Sequence, residues 1–360
     1  MPSEMRALQV TQFNTPYELR TIPVPSPGPH DLLVKVAVAS YCHTDSMVAA
    51  GIFKSKLPQT ASHEGSGTVV AVGSSVSSFQ IGDRVMCGVP LRPCGKCEDC
   101  TGPIEGHRQY CTQNAGHIGV TTHGCAADYV ITDARMTTKL PDSVTFLSAA
   151  PLACAGRTIY RAVLQTELRS GQWVAIVGSG GGLGHLGIQF ARAMGLKVVG
   201  IDARDAGLAL SKECGADVVV DARRQKADVV KEVQAATDGK GVDSAIVLAE
   251  HAEALAAAVT RMHGTVVQVA QPDNISVPFA ELVFRDIRFK GTLLASPEES
   301  SAMMRCIAQH GVKIRTNPFQ GLDRIGELLS MVRSGTLQGK AVIIVDPEQI
   351  EAEKRIGAKF

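Results

Sequence analysis

The spacing of apolar and polar residues differs between regions of the chain. Residues 1–90 carry short apolar runs, for example 32–38 and 67–73, which are interrupted by many Pro and Gly positions. Such short, turn-bounded runs are typical of β-strands and too short for helices. The pattern predicts an irregular antiparallel β domain at the start of the chain.

From Trp173 onward, apolar runs alternate with Ala- and Leu-rich stretches that have helical periodicity, for example 185–194 and 252–261. Continuous apolar strands linked by helices predict a doubly wound parallel sheet that is covered on both faces. The six predicted strands are 173–178, 197–202, 217–221, 243–248, 264–270 and 289–294.

The last part of the chain breaks this alternation. Two helical patterns, 297–310 and 322–334, are followed by a strand pattern at 340–345. We therefore expect residues 1–155 and 296–360 to form one β-rich domain. Residues 156–295 would form an inserted α/β domain of the Rossmann type.

The charge balance and the apolar runs exclude some classes of partner. The 360 residues include 36 Lys and Arg against 35 Asp and Glu, a formal net charge of +1. This balance provides no broad positive field for nucleic acid. No segment has the roughly 18 uninterrupted apolar residues of a membrane helix, and the N-terminus lacks an apolar signal region. We expect a cytoplasmic protein with a small-molecule partner.

A glycine-rich turn follows the first predicted strand of the α/β region and precedes a helical pattern. Glycines allow a tight turn and a close backbone approach to a pyrophosphate. Asp202 ends the next strand, where a carboxylate binds ribose hydroxyls and repels a 2′-phosphate. NAD(H) is therefore favoured over NADP(H), although Arg204 could tolerate the phosphate, and Asp202 could alternatively cap a helix. The residues of the turn are Gly178, Gly180, Gly181, Gly182, Leu183 and Gly184.

The ten cysteines are unevenly distributed along the chain. Four of them, Cys94, Cys97, Cys100 and Cys111, lie within eighteen residues and offer the four thiolates of a structural zinc site. A redox Cys-x-x-Cys pair is the alternative, but it needs only two cysteines. Cys87, Cys125, Cys214 and Cys306 fit no pattern and are expected to be core thiols, while His107, His117 and His123 are expected to be ordinary surface or loop residues.

Several further motifs occur in a characteristic order along nearly the whole chain. Taken with the four-cysteine segment, they resemble those of the zinc-containing medium-chain alcohol dehydrogenases, above all the yeast-type branch. The resemblance implies a GroES-like catalytic domain and a Rossmann domain. The motifs are Cys42-His-Thr-Asp45, the run from His63-Glu64 to Gly73, Gly82-Asp-Arg-Val85, Pro151-Leu-Ala-Cys154-Ala-Gly156 and the run from Val174 to Gly184.

The resemblance also implies two zinc ions per chain. Cys42, His63 and Cys154 would bind the catalytic ion, although by spacing alone such dispersed residues are usually core packing. Glu64 would lie beside that metal as a transient ligand, and Asp45 would orient His63 through its other ring nitrogen. The second ion would occupy the four-cysteine segment, where the interval from Cys100 to Cys111 is three residues longer than is common in the family.

The remaining implied roles concern the cofactor and the proton. His43 and Lys340, the latter at a position that is usually arginine in the family, would face the cofactor pyrophosphate. Thr158 and the backbone at Val269 would hold the nicotinamide. Thr44 would take the hydroxyl proton, while Met47 replaces the histidine that ends the proton relay in many members.

We therefore expect an enzyme that transfers hydride reversibly between NAD(H) and an alcohol, aldehyde or ketone. The positions expected to line the substrate side are apolar, which favours a medium-sized apolar or aromatic substrate of the kind found in secondary metabolism. The alternatives are a zinc-containing reductase of activated C=C bonds and a non-enzymatic zinc-binding partner module. The family also implies a homodimer or homotetramer. The apolar positions are Met47, Phe53, Val89, Pro90, Leu91 and Leu293.

Overall fold

The structure is a computed structural model that describes residues 2–102 and 107–359. It divides into two compact units. The first unit comprises residues 1–157 and 295–360, and the second comprises residues 158–294, so that the second is an insertion in the first. No helix in the described parts of the chain is long and apolar enough to cross a membrane.

The first part of the first unit consists mainly of short strands. A 3₁₀ helix, Arg108–Tyr110, and a π-helical turn, Leu152–Gly156, complete this part. Its elements are β1 (Glu4–Val10), β2 (Glu18–Pro23), β3 (Asp31–Ser40), α1 (His43–Ala49), β4 (Gln59–Thr60), β5 (Glu64–Val72), β6 (Arg84–Met86), β7 (Pro90–Leu91), α2 (Glu98–Thr101), β8 (Gly116–His117), β9 (Tyr129–Asp133), β10 (Thr138–Lys139), α3 (Phe146–Pro151) and α4 (Arg157–Leu164), the last of which continues into the second unit.

The second unit is a six-stranded sheet with the strand order β13-β12-β11-β14-β15-β16, in which every pairing is parallel. This arrangement confirms the predicted doubly wound sheet. Its elements are β11 (Trp173–Val177), α5 (Gly184–Ala193), β12 (Lys197–Asp202), α6 (Asp205–Glu213), β13 (Val218–Asp221), α7 (Lys226–Ala236), β14 (Val242–Val247), α8 (Glu253–Val259), β15 (Thr260–Gln268), α9 (Phe279–Val283) and β16 (Arg288–Gly291).

One helix of this unit is shorter than predicted. The pattern at 252–261 predicts a helix to Arg261, but α8 ends at Val259 because the backbone of Thr260 is already extended. Thr260 then pairs with Val242 at the start of β15. At Thr260 and Arg261, strand pairing thus prevails over the helical periodicity of the apolar residues.

The chain then returns to the first unit. β18 pairs antiparallel with β3, which places it inside the main sheet of that unit in the order β10-β6-β5-β3-β18-β17, with β9 also paired to β3. The returning elements are α10 (Pro297–His310), β17 (Thr316–Gln320), α11 (Ile325–Arg333), β18 (Lys340–Ile344) and α12 (Pro347–Lys354). A 3₁₀ turn, Leu322–Arg324, precedes α11.

Strand β3 forms the centre of the first unit. Nine of its ten residues are buried, and Lys35 is partly exposed where its Nζ atom pairs with an oxygen of Asp346 at 2.6 Å. A strand that is covered on both faces need not alternate between apolar and polar residues. The buried β3 therefore supports the loops at its ends, and the segment after Ser40 leads directly into the candidate active site.

Candidate metal centres and active site

The fold brings together four residues from three separate parts of the sequence. Cys42 directly precedes α1, His63 and Glu64 lie at the start of β5, and Cys154 lies in the π-helical turn. One potential ligand atom of each residue lies within 4.8 Å of those of the other three. We call these four residues the catalytic cluster.

Asp45 holds two members of the catalytic cluster in place. Its Oδ2 atom accepts a hydrogen bond from the backbone N–H of Cys42 at 2.8 Å, which closes the first turn of α1. Its Oδ1 atom lies 2.9 Å from Nδ1 of His63. Because Asp45 is almost completely buried, this arrangement fixes both the entry to the helix and the orientation of the His63 ring.

The donor set of the catalytic cluster fits zinc. Nε2 of His63 is buried and has no hydrogen-bond partner among the described residues. This is expected for a nitrogen that serves as a metal ligand. The pKa of Cys42 lies well below its usual range because of the hydrogen bond with Cys154 and the positive charge of Lys340. A thiolate, an imidazole nitrogen and a second cysteine sulfur are ligands of catalytic zinc sites.

Glu64 forms a buried ion pair with Lys340. Oε2 of Glu64 and Nζ of Lys340 are 2.6 Å apart, and both side chains are at least 95% buried. Burial lowers the pKa of Lys340, but the negative charges of Cys42 and Glu64 outweigh that effect and raise it. Oε1 of Glu64 accepts a hydrogen bond from the N–H of Ala155 at 3.0 Å, which ties Glu64 to the turn that carries Cys154.

Lys340 thus has a partner that the resemblance did not imply, while its role toward the cofactor pyrophosphate stays a prediction. Its ammonium is held by the Glu64 carboxylate inside the first unit. This pair was missed by sequence reasoning because the two residues lie far apart in the chain. The available signal was chemical, since a glutamate buried beside a metal ligand needs a cation near it.

The four-cysteine segment forms a second cluster, which we call the cysteine lobe. Its four sulfur atoms lie within 4.8 Å of one another, and Cys94 and Cys100 are 4.0 Å apart while Cys97 and Cys111 are 3.7 Å apart. These Sγ–Sγ distances are too long for disulfides, which need about 2.05 Å, and suit four sulfurs around one zinc ion. Backbone N–H groups, above all that of Lys96, lower the pKa of Cys94 to about 6.

The longer interval between Cys100 and Cys111 includes residues 103–106, which lie outside the described residues. Cys111 nevertheless joins the other three cysteines, and its sulfur accepts a hydrogen bond from the N–H of Cys94 at 3.4 Å. None of the ten cysteines forms a disulfide.

The glycine-rich turn lies between β11 and α5 in the second unit. Gly178 has φ +90°, which favours glycine, and a Cβ on Gly180 would collide with the backbone of Gly207. The N–H of Gly180 donates to Oδ2 of Asp202 at 2.9 Å. Asp202 thus ends β12 directly beside the turn.

The alternative interpretation of Asp202 as a helix cap is wrong. Helix α6 starts at Asp205, and its N-cap residue is Arg204. The N–H of Arg204 donates to Oδ1 of Asp202 at 3.0 Å, so both carboxylate oxygens of Asp202 are oriented by the backbone.

The other predicted residues are divided between the two units. In the first unit, His43 is exposed and Thr44 is partly exposed, both in the first turn of α1. In the second unit, Thr158 is buried in α4, and the N–H of Val269 donates to the carbonyl of Val247 at 3.0 Å. These placements leave the side chains of His43 and Thr44 accessible within their own unit.

His117 has an environment that sequence reasoning did not anticipate. It is half-buried in β8, and its pKa is lowered by burial and by the charge of His63. It therefore lies within electrostatic range of the catalytic cluster. The spacing of His117 in the sequence gave no signal of this; in the structure it is paired with Pro90 of β7.

Comparison with known proteins agrees with this geometry. Residues 28–142 match the family model of the alcohol dehydrogenase GroES-like domain, and residues 182–309 match that of the zinc-binding dehydrogenases. Alcohol dehydrogenase 1 of Emericella nidulans is 34% identical over 352 residues, which cover 95% of this chain and 98% of that protein.

Two solved structures share the whole fold. The alcohol dehydrogenase of Aeropyrum pernix has a TM-score of 0.85 at 29% identity, covering 94% of this chain and 99% of that chain. A cinnamyl alcohol dehydrogenase of Sorghum bicolor has a TM-score of 0.84 at 26% identity, covering 95% and 97%. The chain has two clusters suited to zinc and a glycine-rich turn in a Rossmann sheet, and it is similar to these relatives. It therefore belongs to the zinc-containing medium-chain alcohol dehydrogenase family.

Proposed function

We propose that this enzyme transfers a hydride reversibly between NAD(H) and a medium-sized apolar or aromatic alcohol or its carbonyl product. The observation that carries the proposal is the convergence of Cys42, His63 and Cys154 within 4.8 Å, in a partly buried cluster that is held in place by Asp45 and by the Glu64–Lys340 pair. Such a set of ligand atoms, with a carboxylate beside it, is suited to a catalytic metal ion rather than to a closed structural one.

Zinc held by Cys42, His63 and Cys154 would supply the Lewis acid that polarises the alcohol or carbonyl oxygen. The protein side chains set the charge around it. Two thiolates balance the charge of a divalent ion, and Lys340 neutralises Glu64, so that the carboxylate adds no net negative charge to the cluster. Asp45 accepts a hydrogen bond from Nδ1–H of His63, which leaves Nε2 as the metal-binding atom.

The substrate proton would move to Oγ1 of Thr44. This hydroxyl lies two residues after Cys42, in the first turn of α1, and is partly exposed. Met47, one turn further along, has no group that exchanges protons. The proton would therefore leave Thr44 for His43 or directly for solvent.

We infer that NAD(H) is preferred over NADP(H). The supporting observation is the orientation of Asp202, whose two oxygens are held by the N–H groups of Gly180 and Arg204. A carboxylate fixed in this way keeps lone pairs for ribose hydroxyls and repels a 2′-phosphate. Arg204 is turned toward Asp202, with its Nε atom 3.4 Å from Oδ1, rather than left as an unpaired phosphate ligand.

We propose the substrate preference from the apolar side chains that are expected on the substrate side. Met47 and Phe53 are partly exposed, while Val89 is buried, and none of them carries a charge. The similarity to a cinnamyl alcohol dehydrogenase supports an aromatic or allylic substrate. The same chemistry disfavours phosphorylated or acidic substrates.

A substrate panel tests the proposal directly. On protein that contains two zinc ions per chain, we expect kcat/KM for benzyl and cinnamyl alcohol to exceed that for ethanol. We also expect kcat/KM with NADH to exceed that with NADPH in the reductive direction. Cinnamaldehyde should yield cinnamyl alcohol. Formation of the saturated aldehyde would instead identify a reductase of activated C=C bonds, and NADH binding without turnover would indicate a non-enzymatic module.

We further propose that the enzyme acts in the cytoplasm as a homodimer or homotetramer. Ten cysteines without a disulfide support a reducing compartment, and the oligomer is inferred from the family. Cell fractionation and light scattering after size-exclusion chromatography test these two statements. Recovery in a secreted fraction, or a mass of one chain, would contradict them.

A further inference from the structure

A cavity of about 510 Å³ in the first unit is separate from both metal clusters. It lies among the β1–β2 hairpin, strands β7 and β9, and the segment 122–124. Among the described residues that line it, none belongs to the catalytic cluster or to the cysteine lobe. Leu91, expected on the substrate side, is one of its lining residues.

The lining combines apolar and basic side chains. Apolar contacts come from Met5, Ile22, Leu91 and Ile131, together with several prolines. The basic side chains are those of Arg20, Arg92 and His123. No Asp or Glu occurs among the described lining residues. A cavity with this composition suits a ligand that has an apolar body and an anionic head.

Arg92 is held in place by Asp31, which is not one of the lining residues. Its Nε and Nη2 atoms donate to the carboxylate of Asp31, with the Nη2 bond at 2.5 Å, and Asp31 is completely buried. The Nη1 atom is left for another acceptor. Because Asp31 balances the charge of Arg92, this side chain offers a pre-oriented donor rather than a net charge.

Arg20 supplies the net charge. It is exposed on β2, where its backbone pairs with β1, and its side chain has neither a hydrogen bond nor an ion pair with another described residue. Its guanidinium is therefore available to a ligand without breaking an existing contact. Arginine can bind a carboxylate through two parallel hydrogen bonds.

His123 offers a third donor because its tautomer is determined by Thr60. The backbone N–H of Thr60 points at Nδ1 of His123 at 3.2 Å, and a backbone amide can only donate. Nδ1 is therefore the acceptor. Burial lowers the pKa of His123, so the neutral ring carries its proton on Nε2.

We propose that this cavity binds a small organic carboxylate with an aromatic or medium-chain aliphatic body. The carboxylate contacts Arg20, Nη1 of Arg92 and Nε2–H of His123, while the body packs against Ile22, Leu91 and Ile131. The volume lies in the range of small-molecule sites. This binding is independent of hydride transfer and does not use the catalytic cluster.

The contacts around the cavity determine which lining residue can be replaced without disturbing the catalytic cluster. The N–H of Gly124 donates to the carbonyl of Thr60, and that of Cys125 donates to the carbonyl of Ser62, the residue before His63. Changes at 123–125 would therefore disturb the catalytic cluster. Arg20 lies on an exposed edge strand outside this connection, and Arg20→Gln removes the charge while leaving the core intact.

Calorimetric titration of the zinc-loaded enzyme tests the proposal with 4-phenylbutyrate as the probe and 4-phenylbutyramide as its neutral counterpart. We expect the carboxylate to bind with Kd of roughly 10⁻⁴–10⁻³ M and the amide about tenfold or more weakly. Arg20→Gln should weaken binding of the carboxylate about tenfold or more. Arg355→Gln, which removes another exposed arginine of the same unit, should leave it unchanged.

A second variant separates this cavity from the catalytic cluster. Cys42→Ala should retain binding of the probe, because Cys42 does not line the cavity. Binding that is lost in Cys42→Ala and kept in Arg20→Gln would place the carboxylate on the metal and overturn the proposal. Equal affinity for acid and amide, or no measurable binding of either, would overturn it as well.

Discussion

The two metal clusters of the first unit are assembled in opposite ways. The cysteine lobe takes all four of its sulfur atoms from a segment of eighteen residues, and three of its four cysteines are only partly buried. The catalytic cluster takes Cys42, His63 and Cys154 from distant segments, and β18 adds Lys340 from near the end of the chain. One cluster is a local feature, and the other depends on the whole sheet.

Because the clusters are assembled differently, we expect them to contribute differently to the stability of the protein. A local cluster of thiolates can fold around its metal, so its binding energy supports a segment with little apolar core of its own. The catalytic cluster is supported by neighbouring groups instead, namely Asp45 behind His63 and Lys340 against Glu64. Loss of a ligand should therefore affect chemistry at one cluster and stability at the other.

The largest expected effect is the loss of turnover in Cys42→Ala. Removing one thiolate should release the catalytic zinc and lower kcat/KM about 10³-fold or more, because the metal contributes several kcal/mol to the transition state. Zinc analysis should fall from two ions per chain to one, with the melting temperature little changed. Cys306→Ala removes a half-buried thiol outside both clusters and should retain full activity. Full activity in Cys42→Ala would refute the metal mechanism.

The next effect concerns the buried ion pair. Lys340→Met leaves the Glu64 carboxylate buried and uncompensated, which should destabilise the protein by about 3–5 kcal/mol in urea unfolding. Lys340→Met combined with Glu64→Gln should recover most of that loss. Lys35→Met removes a lysine whose pair with Asp346 is more exposed, and should change stability by at most about 1 kcal/mol. Equal losses in the two lysine variants would contradict the role of burial.

A smaller change is expected from Asp45→Asn. Asparagine can still cap α1, but it lacks the charge that orients His63. Zinc should leave the catalytic cluster roughly 10–100-fold more readily, as measured by its transfer to a chelator, while the zinc of the cysteine lobe stays in place. Equal release from both clusters would show that Asp45 acts on general stability.

The smallest effect on catalysis is expected from Cys97→Ser. This variant should lose the zinc of the cysteine lobe and lower the melting temperature by on the order of 5 °C. Its kcat/KM should stay within about tenfold of the parent when it is measured well below that temperature. A loss of activity as large as that of Cys42→Ala would mean that the two clusters are not independent.

The parts of the fold that were predicted well are those with local signals. Helix α10 was predicted at its observed ends, where Ser296 and Glu299 form a capping box and Gly311 adopts a left-handed conformation after the last turn. The six strands of the second unit were predicted because short apolar runs alternate there with helical patterns, although β16 has no buried residue. Strand β17 and helix α12 were missed, because their burial patterns are mixed and give no clear period.

The sequence alone determined the elements whose cause is local. Four cysteines at short spacing converge within one segment, and glycines are required where the turn after β11 reaches φ +90° or contacts another backbone. Family motifs, rather than spacing, indicated Cys42, His63 and Cys154 as one set. The same motifs indicated Asp45 as the partner of His63, whereas the pairing of Glu64 with Lys340 was not inferred.

Only the tertiary structure decided how the charges of the catalytic cluster are balanced. The pairing of β18 with β3 carries Lys340 toward Glu64, and the burial of both side chains makes their contact necessary. The folding of the β1–β2 hairpin beside β9 likewise places Arg20, Arg92 and His123 on one cavity. The spacing of residues along the chain indicates neither arrangement, because a buried or enclosed charge is surrounded by strands that come together only in the folded protein.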